Sequence, residues 1–199
     1  MSRSVRWILV LLLFAFLIGG PVGYARYRKA TFRNFHVVQA NKLYRSGQLS
    51  LDGLQRAIHD YGIKTVITLR EGKQPGDPPP DADEEKYCRD EELYHYRLPY
   101  RSLAQVKSPW VKQNGKAGID PNVARFLAIM DNPKHYPVLI HCTAGMHRTG
   151  AYAAIYRMEY DRWDNELALD EIKAYGYDEI EEHNDILGYL QTYVPRWKR

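Results

Sequence analysis

An α/β domain is the fold class this sequence predicts: a central twisted, mostly parallel sheet flanked by helices, preceded by one N-terminal transmembrane helix. Three observations predict it. From residue 35 onward, β-branched runs alternate with amphipathic stretches, an order that a parallel sheet covered on both faces satisfies economically. The runs "IKTVITL" (63–69) and "YPVLIHC" (136–142) are apolar enough to be buried strands. Ahead of both, "WILVLLLFAFLIGGPVGY" (7–24) carries no charge at all.

That first stretch would run about 27 Å as a helix, close to the roughly 30 Å of a bilayer core. A cleaved secretory signal is the rival reading, though Pro21 to Lys29 lacks a clean small-x-small site. A buried core helix fits poorly, because no polar face is available to meet water. We therefore divide the chain into an N-terminal membrane anchor with its basic flank (1–30) and one folded domain (31–199), with the lipid bilayer as partner. More positive charge follows the span than precedes it, which favours a cytoplasmic domain by the positive-inside rule.

Composition narrows the folded part. The net charge of +4 reflects the anchor: residues 1–30 hold five basic residues and no acid, leaving 23 basic against 24 acidic residues elsewhere. A nearly neutral domain argues against a nucleic-acid partner. With 45% apolar and 26% charged residues in 199, one globular domain is expected. Two cysteines, Cys88 and Cys142, form no disulfide framework.

The elements follow in order. "FHVVQANKLYRSGQ" (35–48) reads as two short strands around an Ala-Asn turn, and "SLDGLQRAIHDYG" (50–62) as a helix capped by Ser50 and stopped at Gly62. After the strand 63–69, "REGKQPGDPPPDAD" (70–83) is a proline-rich loop. A charged helix (83–93), a strand (94–100) and a long loop (101–119) come next. Asp120 and Pro121 open a helix over 120–132. After the strand 136–142, residues 149–193 offer three helical stretches, broken near Trp163–Asp164 and Tyr175–Tyr177.

Chemistry concentrates in "VLIHCTAGMHRTG" (138–150), where a strand feeds a loop of small residues that opens a helix. Such a loop aims successive backbone N–H groups at one point and binds an anion with several oxygens. The same field favours a thiolate. Arg148, six residues after Cys142, can fold back and grip two oxygens with its planar fork. Gly145 permits the tight backbone, and the Thr149 hydroxyl is within reach of the sulfur. Nucleophile, cradle and cation together suit phosphoryl transfer to sulfur and hydrolysis of a phosphocysteine, with no metal or other cofactor required.

"HCTAGMHRTG" resembles the His-Cys-x5-Arg-Ser/Thr signature of the cysteine-based protein tyrosine phosphatase superfamily. "LYRSGQ" (43–48) is similar to the opening strand of its compact, atypical dual-specificity-like branch, and residues 156–177 look like the helical tail of that branch. The resemblance spans roughly residues 35 to 190. It implies Cys142 as nucleophile and a phosphate-binding loop of Thr143, Ala144, Gly145, Met146, His147 and Arg148. His141 is either a donor to the loop backbone, like its counterparts, or a satisfied core histidine. The substrates implied are phosphorylated proteins, phosphotyrosine first, or small phosphomonoesters, including the inositol phosphates that some compact relatives take.

One part is missing. The family usually places a general-acid aspartate after the strand that here reads "YHYRLPY", and residues 101–119 contain no acid. Asp120 is the first candidate, but Asp-Pro opening a helix is also what a cap looks like. Asp77, Asp81 and Asp83 in the proline-rich loop are the others. The absent acid leaves a second reading open, a catalytically weak module that reads phosphate at the membrane. A sulfurtransferase, which also places a cysteine loop before a helix, is disfavoured by the Arg-Thr pair and "LYRSGQ".

Overall fold

The computed structural model describes residues 3–72, 76–99, 120–182 and 184–198. Arg3–Phe14 (α1), a π-helical turn at Ala15–Gly19 and Gly20–Thr31 (α2) form one continuous helix. The π turn falls just ahead of Pro21, whose missing N–H interrupts the α-helical ladder there. Ser4–Tyr27 is long and apolar enough to cross a membrane by length and composition.

The chain then builds a five-stranded sheet in the order β1-β2-β5-β3-β4. His36–Gln39 (β1) and Leu43–Ser46 (β2) form the expected hairpin, and the turn between them places Asn41 at a positive φ of 61°. Asparagine tolerates that conformation better than most residues. Thr65–Thr68 (β3), Tyr94–Arg97 (β4) and Val138–His141 (β5) run parallel to β2. The sheet is thus mostly parallel with one antiparallel edge.

Helices cover both faces. Leu51–Tyr61 (α3) starts where the Ser50 hydroxyl accepts the Gly53 N–H at 3.1 Å. It shares its face with Ala82–Asp90 (α4). Pro121–Met130 (α5), His147–Tyr160 (α6), Asn165–Ala174 (α7) and Asn184–Thr192 (α8) pack on the other side. The charged helix and the fourth strand each end three residues sooner than the sequence suggested, and α6 begins two residues earlier, at His147. The expected loop at 101–119 lies outside the described residues.

Strand alternation assigns the side chains. Val138, Ile140 and Cys142 join the larger core under α5, α6, α7 and α8, with Leu43, Ile67 and Phe126. Leu139 turns to the smaller core under α3 and α4, with Tyr44, Leu54, Val66 and Cys88. By the same alternation His141 faces α4, while Cys142 faces α6. Burial with Glu84 and Glu85 nearby pushes the Cys88 thiol up to about 12, so it stays an unreactive core group.

Candidate active site

The carbonyls of Thr143, Ala144 and Gly145 are each held from outside the loop. The Gln48 N–H donates to the first at 3.1 Å, the Asn34 amide to the second at 2.7 Å, and the Arg45 guanidinium to the third at 2.8 Å. In a trans peptide the C=O and the following N–H point in opposite directions. Tying three successive carbonyls outward therefore turns the N–H groups of Ala144, Gly145 and Met146 inward. The Gly145 N–H lies 3.2 Å from the Cys142 sulfur. The inward N–H groups form a concavity whose mouth opens beyond the carboxyl ends of β5 and β3.

Gly145 is required for two reasons. Its φ is +80°, and a Cβ there would come within 2.3 Å of the Gly47 nitrogen. The loop after β2 and the loop after β5 are thus in backbone contact, with no room for a side chain between them.

Burial by itself pushes the Cys142 thiol up. The hydroxyl and N–H of Thr149, the Gly145 N–H and the positive charge of Arg148 outweigh it, so the thiol lies below its ordinary value. The Thr149 hydroxyl falls outside strict hydrogen-bond geometry but is buried facing the sulfur. Arg148 donates to the Leu69 carbonyl at 2.7 Å, which fixes one edge of its guanidinium at the end of β3. It lines a cavity of about 420 Å³ with Thr143, Arg70, Glu71, Asp77 and Pro80. His147 turns away from that opening and stacks on Tyr177 at 4.2 Å.

Behind the concavity lies a polar network. His141 Nε2 is 2.8 Å from Glu84, which also meets His95 at 3.2 Å and accepts from Gln48 at 3.0 Å. His141 is thus a partnered histidine bonded to a carboxylate rather than to the loop backbone. Burial pushes Glu84 up, but the two histidines overcome it and hold the carboxyl at about 2. Asp81 accepts from Thr68 and pairs with Arg97 at 2.7 Å. The sequence suggested no metal-ligand cluster, yet ligating atoms of Asp81, Glu84 and His141 lie within 4.8 Å of one another. Arg97 and His95 already neutralise those oxygens, which suits an ion-pair network better than a cation.

Two residues that sequence reasoning passed over prove central. Arg45 is 1% exposed, lies 4.8 Å from the Tyr175 ring and supports the loop through Gly145. A charged residue following Leu43 and Tyr44 within a short strand was the available signal. Asn34 had none beyond its residue type, since its partner is 110 positions away. Asp120 serves as a cap: one carboxylate oxygen accepts the Asn122 and Val123 N–H groups at 2.8 and 3.1 Å.

A central-strand thiol under such a loop, on such a sheet, defines the cysteine-based protein tyrosine phosphatase superfamily in its atypical dual-specificity-like branch. Residues 27–186 match the family model described as DSP-PTPase phosphatase fused to NAD+ kinase, and the chain belongs to that family.

Among relatives, OCA1 of Mycosarcoma maydis, a candidate tyrosine-protein phosphatase by name, is 30% identical over 147 residues, 71% of this chain and 79% of that protein. The dual specificity protein phosphatase TpbA of Pseudomonas aeruginosa is 38% identical over 55 residues, 28% of this chain. That match spans only 25% of TpbA's own length. In structure, the Siw14 catalytic core superposes with a TM-score of 0.60 at 17% identity, covering 82% of this chain and 86% of that one. Siw14 of S. cerevisiae is described as a PP-IP phosphatase. Crystalline TpbA gives 0.58 at 22% identity, covering 81% and 85%. TpbA has also been crystallised with phosphotyrosine.

Proposed function

We propose that this chain hydrolyses phosphomonoesters through a phosphocysteine on Cys142, with phosphotyrosine in proteins as the leading substrate. The observation that carries this reading is the outward pinning of three successive carbonyls around a thiol already biased toward thiolate. In this mechanism the inward N–H groups and Arg148 hold the phosphoryl oxygens. Cys142 Sγ attacks phosphorus in line, and the P–O bond to the leaving group breaks. Water then cleaves the P–S bond, which returns phosphate and the thiolate. The chemistry requires no metal or other cofactor.

Inositol phosphates are the second reading. Arg70 lines the same cavity as Arg148, which gives a second phosphate a cation to meet, while Glu71 and Asp77 on that wall oppose dense negative charge. The structural likeness to Siw14 supports keeping it. We further infer that residues 1–30 anchor the domain 31–199 in a membrane, with the domain on the cytoplasmic side.

The test is release of p-nitrophenol from p-nitrophenyl phosphate by the full chain in detergent. Turnover should persist in EDTA and be blocked by vanadate. Cys142→Ser should abolish it yet still bind vanadate, because the backbone cradle survives. Activity lost in EDTA and restored by zinc or magnesium would sink the mechanism.

A further inference from the structure

We propose that Arg45 is a positioning residue of the reaction proposed above, a fixed positive charge behind the loop between β5 and α6 that acts on the bound anion through the Gly145–Met146 peptide. The assignment rests on the phosphocysteine reading and adds to it a cation that does not touch the substrate.

Arg45 stands on β2 opposite Ile140 of β5, two residues before Cys142. Its side chain passes under the first turn of α6, where a Cβ on Gly150 would lie 3.6 Å from Nη2. That nitrogen donates to the Gly145 carbonyl at 2.8 Å. The N–H of the same peptide, on Met146, points the opposite way, into the concavity. A charged donor on the carbonyl polarises the peptide and makes the N–H at its far side a stronger donor. Gly145 also places its own N–H 3.2 Å from Cys142 Sγ, so the residue that Arg45 holds contacts the nucleophile.

An arginine kept only for packing would have its donors met. Here Nε and Nη1 find no acceptor among the described residues, although the side chain is 1% exposed. Glu171 favours the charge on Arg45, but Arg157 already grips that carboxylate at 2.7 and 3.0 Å. Tyr175 lies over the guanidinium at 4.8 Å, and His36 packs on Tyr175 at 4.5 Å. Burial and then Arg45 hold His36 below its ordinary 6.5, so it adds no second charge at neutral pH. Burial pulls Arg45 down as well, and Arg157 acts in the same direction, while Glu171, Tyr175 and Cys142 favour its charged form. A guanidinium stays charged nonetheless.

A buried cation with unmet donors is costly unless a negative charge answers it. In this mechanism that charge is the Cys142 thiolate, and then the phosphoryl oxygens held by the inward N–H groups. Arg148 from α6 and His141 beside it on β5 also favour the thiolate, so the share carried by Arg45 must be isolated by substitution.

The experiment reads three quantities in the full chain in detergent. They are the pH midpoint of Cys142 alkylation by iodoacetamide, followed on the Cys142 peptide by mass spectrometry, the affinity for vanadate, and the circular dichroism. Arg45→Met removes the charge but little of the volume. Its alkylation midpoint should rise by about one pH unit. Vanadate should bind it about tenfold more weakly. Arg45→Lys keeps the charge and loses the planar fork, so its midpoint should stay within about 0.3 pH unit of wild type while vanadate binding still falls. A midpoint unmoved in Arg45→Met would overturn the assignment, and so would a rise of about one unit in Arg45→Lys. If the Met variant lacks native circular dichroism, the Lys variant alone decides. Turnover surviving in Cys142→Ser would instead overturn the phosphocysteine itself, whatever Arg45 does.

Discussion

Glu84 is a carboxylate that burial alone would neutralise, and His141 is a fully buried imidazole that burial alone would keep uncharged. Each reverses the other. Glu84 is held at about 2, below its ordinary 4.5, and His141 is raised above its ordinary 6.5. The depressed carboxyl adds stability above about 4.5 that is lost as pH falls toward 2. The raised histidine adds stability below 6.5 that is lost as pH climbs through its folded value. The pair is therefore worth most between about 4.5 and 6.5. Glu84→Gln should cost about 3 kcal/mol in that window, as a buried pair broken on one side does. The cost should shrink on either flank. Thermal unfolding of both proteins across pH checks it, and a cost independent of pH would mean that the two groups are not paired as ions.

At the scale of elements, the loop between β5 and α6 is shaped as much by β2 and the α2–β1 connection as by its own sequence. Gly145→Ala makes this measurable. The new methyl would meet the Gly47 backbone, and the left-handed φ is costly for alanine. Vanadate and phosphate binding should fall at least tenfold while helix content stays near wild type; unchanged binding would show that the two loops can separate freely. The strand–loop–helix order was legible because it is written in consecutive residues: an apolar run, small residues, then a helix. So was the mostly parallel sheet, since strand-like apolar runs alternate with helical stretches along the chain. The supports were not legible. Arg45 meets Gly145 across 100 positions, Asn34 meets Ala144 across 110, and His141 meets Glu84 across 57. No local periodicity encodes such pairings. For the same reason Asp120 could be read as cap or catalyst from "DPNV" alone, and only its two backbone acceptor contacts assign it to the helix.

In the whole molecule, the N-terminal helix joins the domain without a flexible spacer. Trp7 is 69% exposed and Phe16 76%, so among the described residues nothing covers these apolar side chains. The far end is docked: a Cβ on Gly53 would sit 2.1 Å from the Thr31 carbonyl, so α3 packs directly on the helix terminus. Within three residues the chain reaches the loops after β2 and β5, where the Arg33 carbonyl accepts from Gly47 and the Asn34 amide donates to Ala144. Any membrane that takes the helix therefore holds the loop between β5 and α6 within a short reach, since three residues span at most about 10 Å. Two outcomes follow if residues 1–30 are an anchor and no more. The full chain should stay in the membrane fraction through a carbonate wash, and its release as a shortened soluble form would show that the segment is a cleaved signal. A chain starting at residue 31 should keep its turnover in the absence of detergent, because Arg33 and Asn34 remain. One starting at residue 36 should lose vanadate binding along with turnover, since two of the contacts that shape the loop are then gone. Equal activity in the two truncated chains would mean that the connection is a tether and takes no part in building the site.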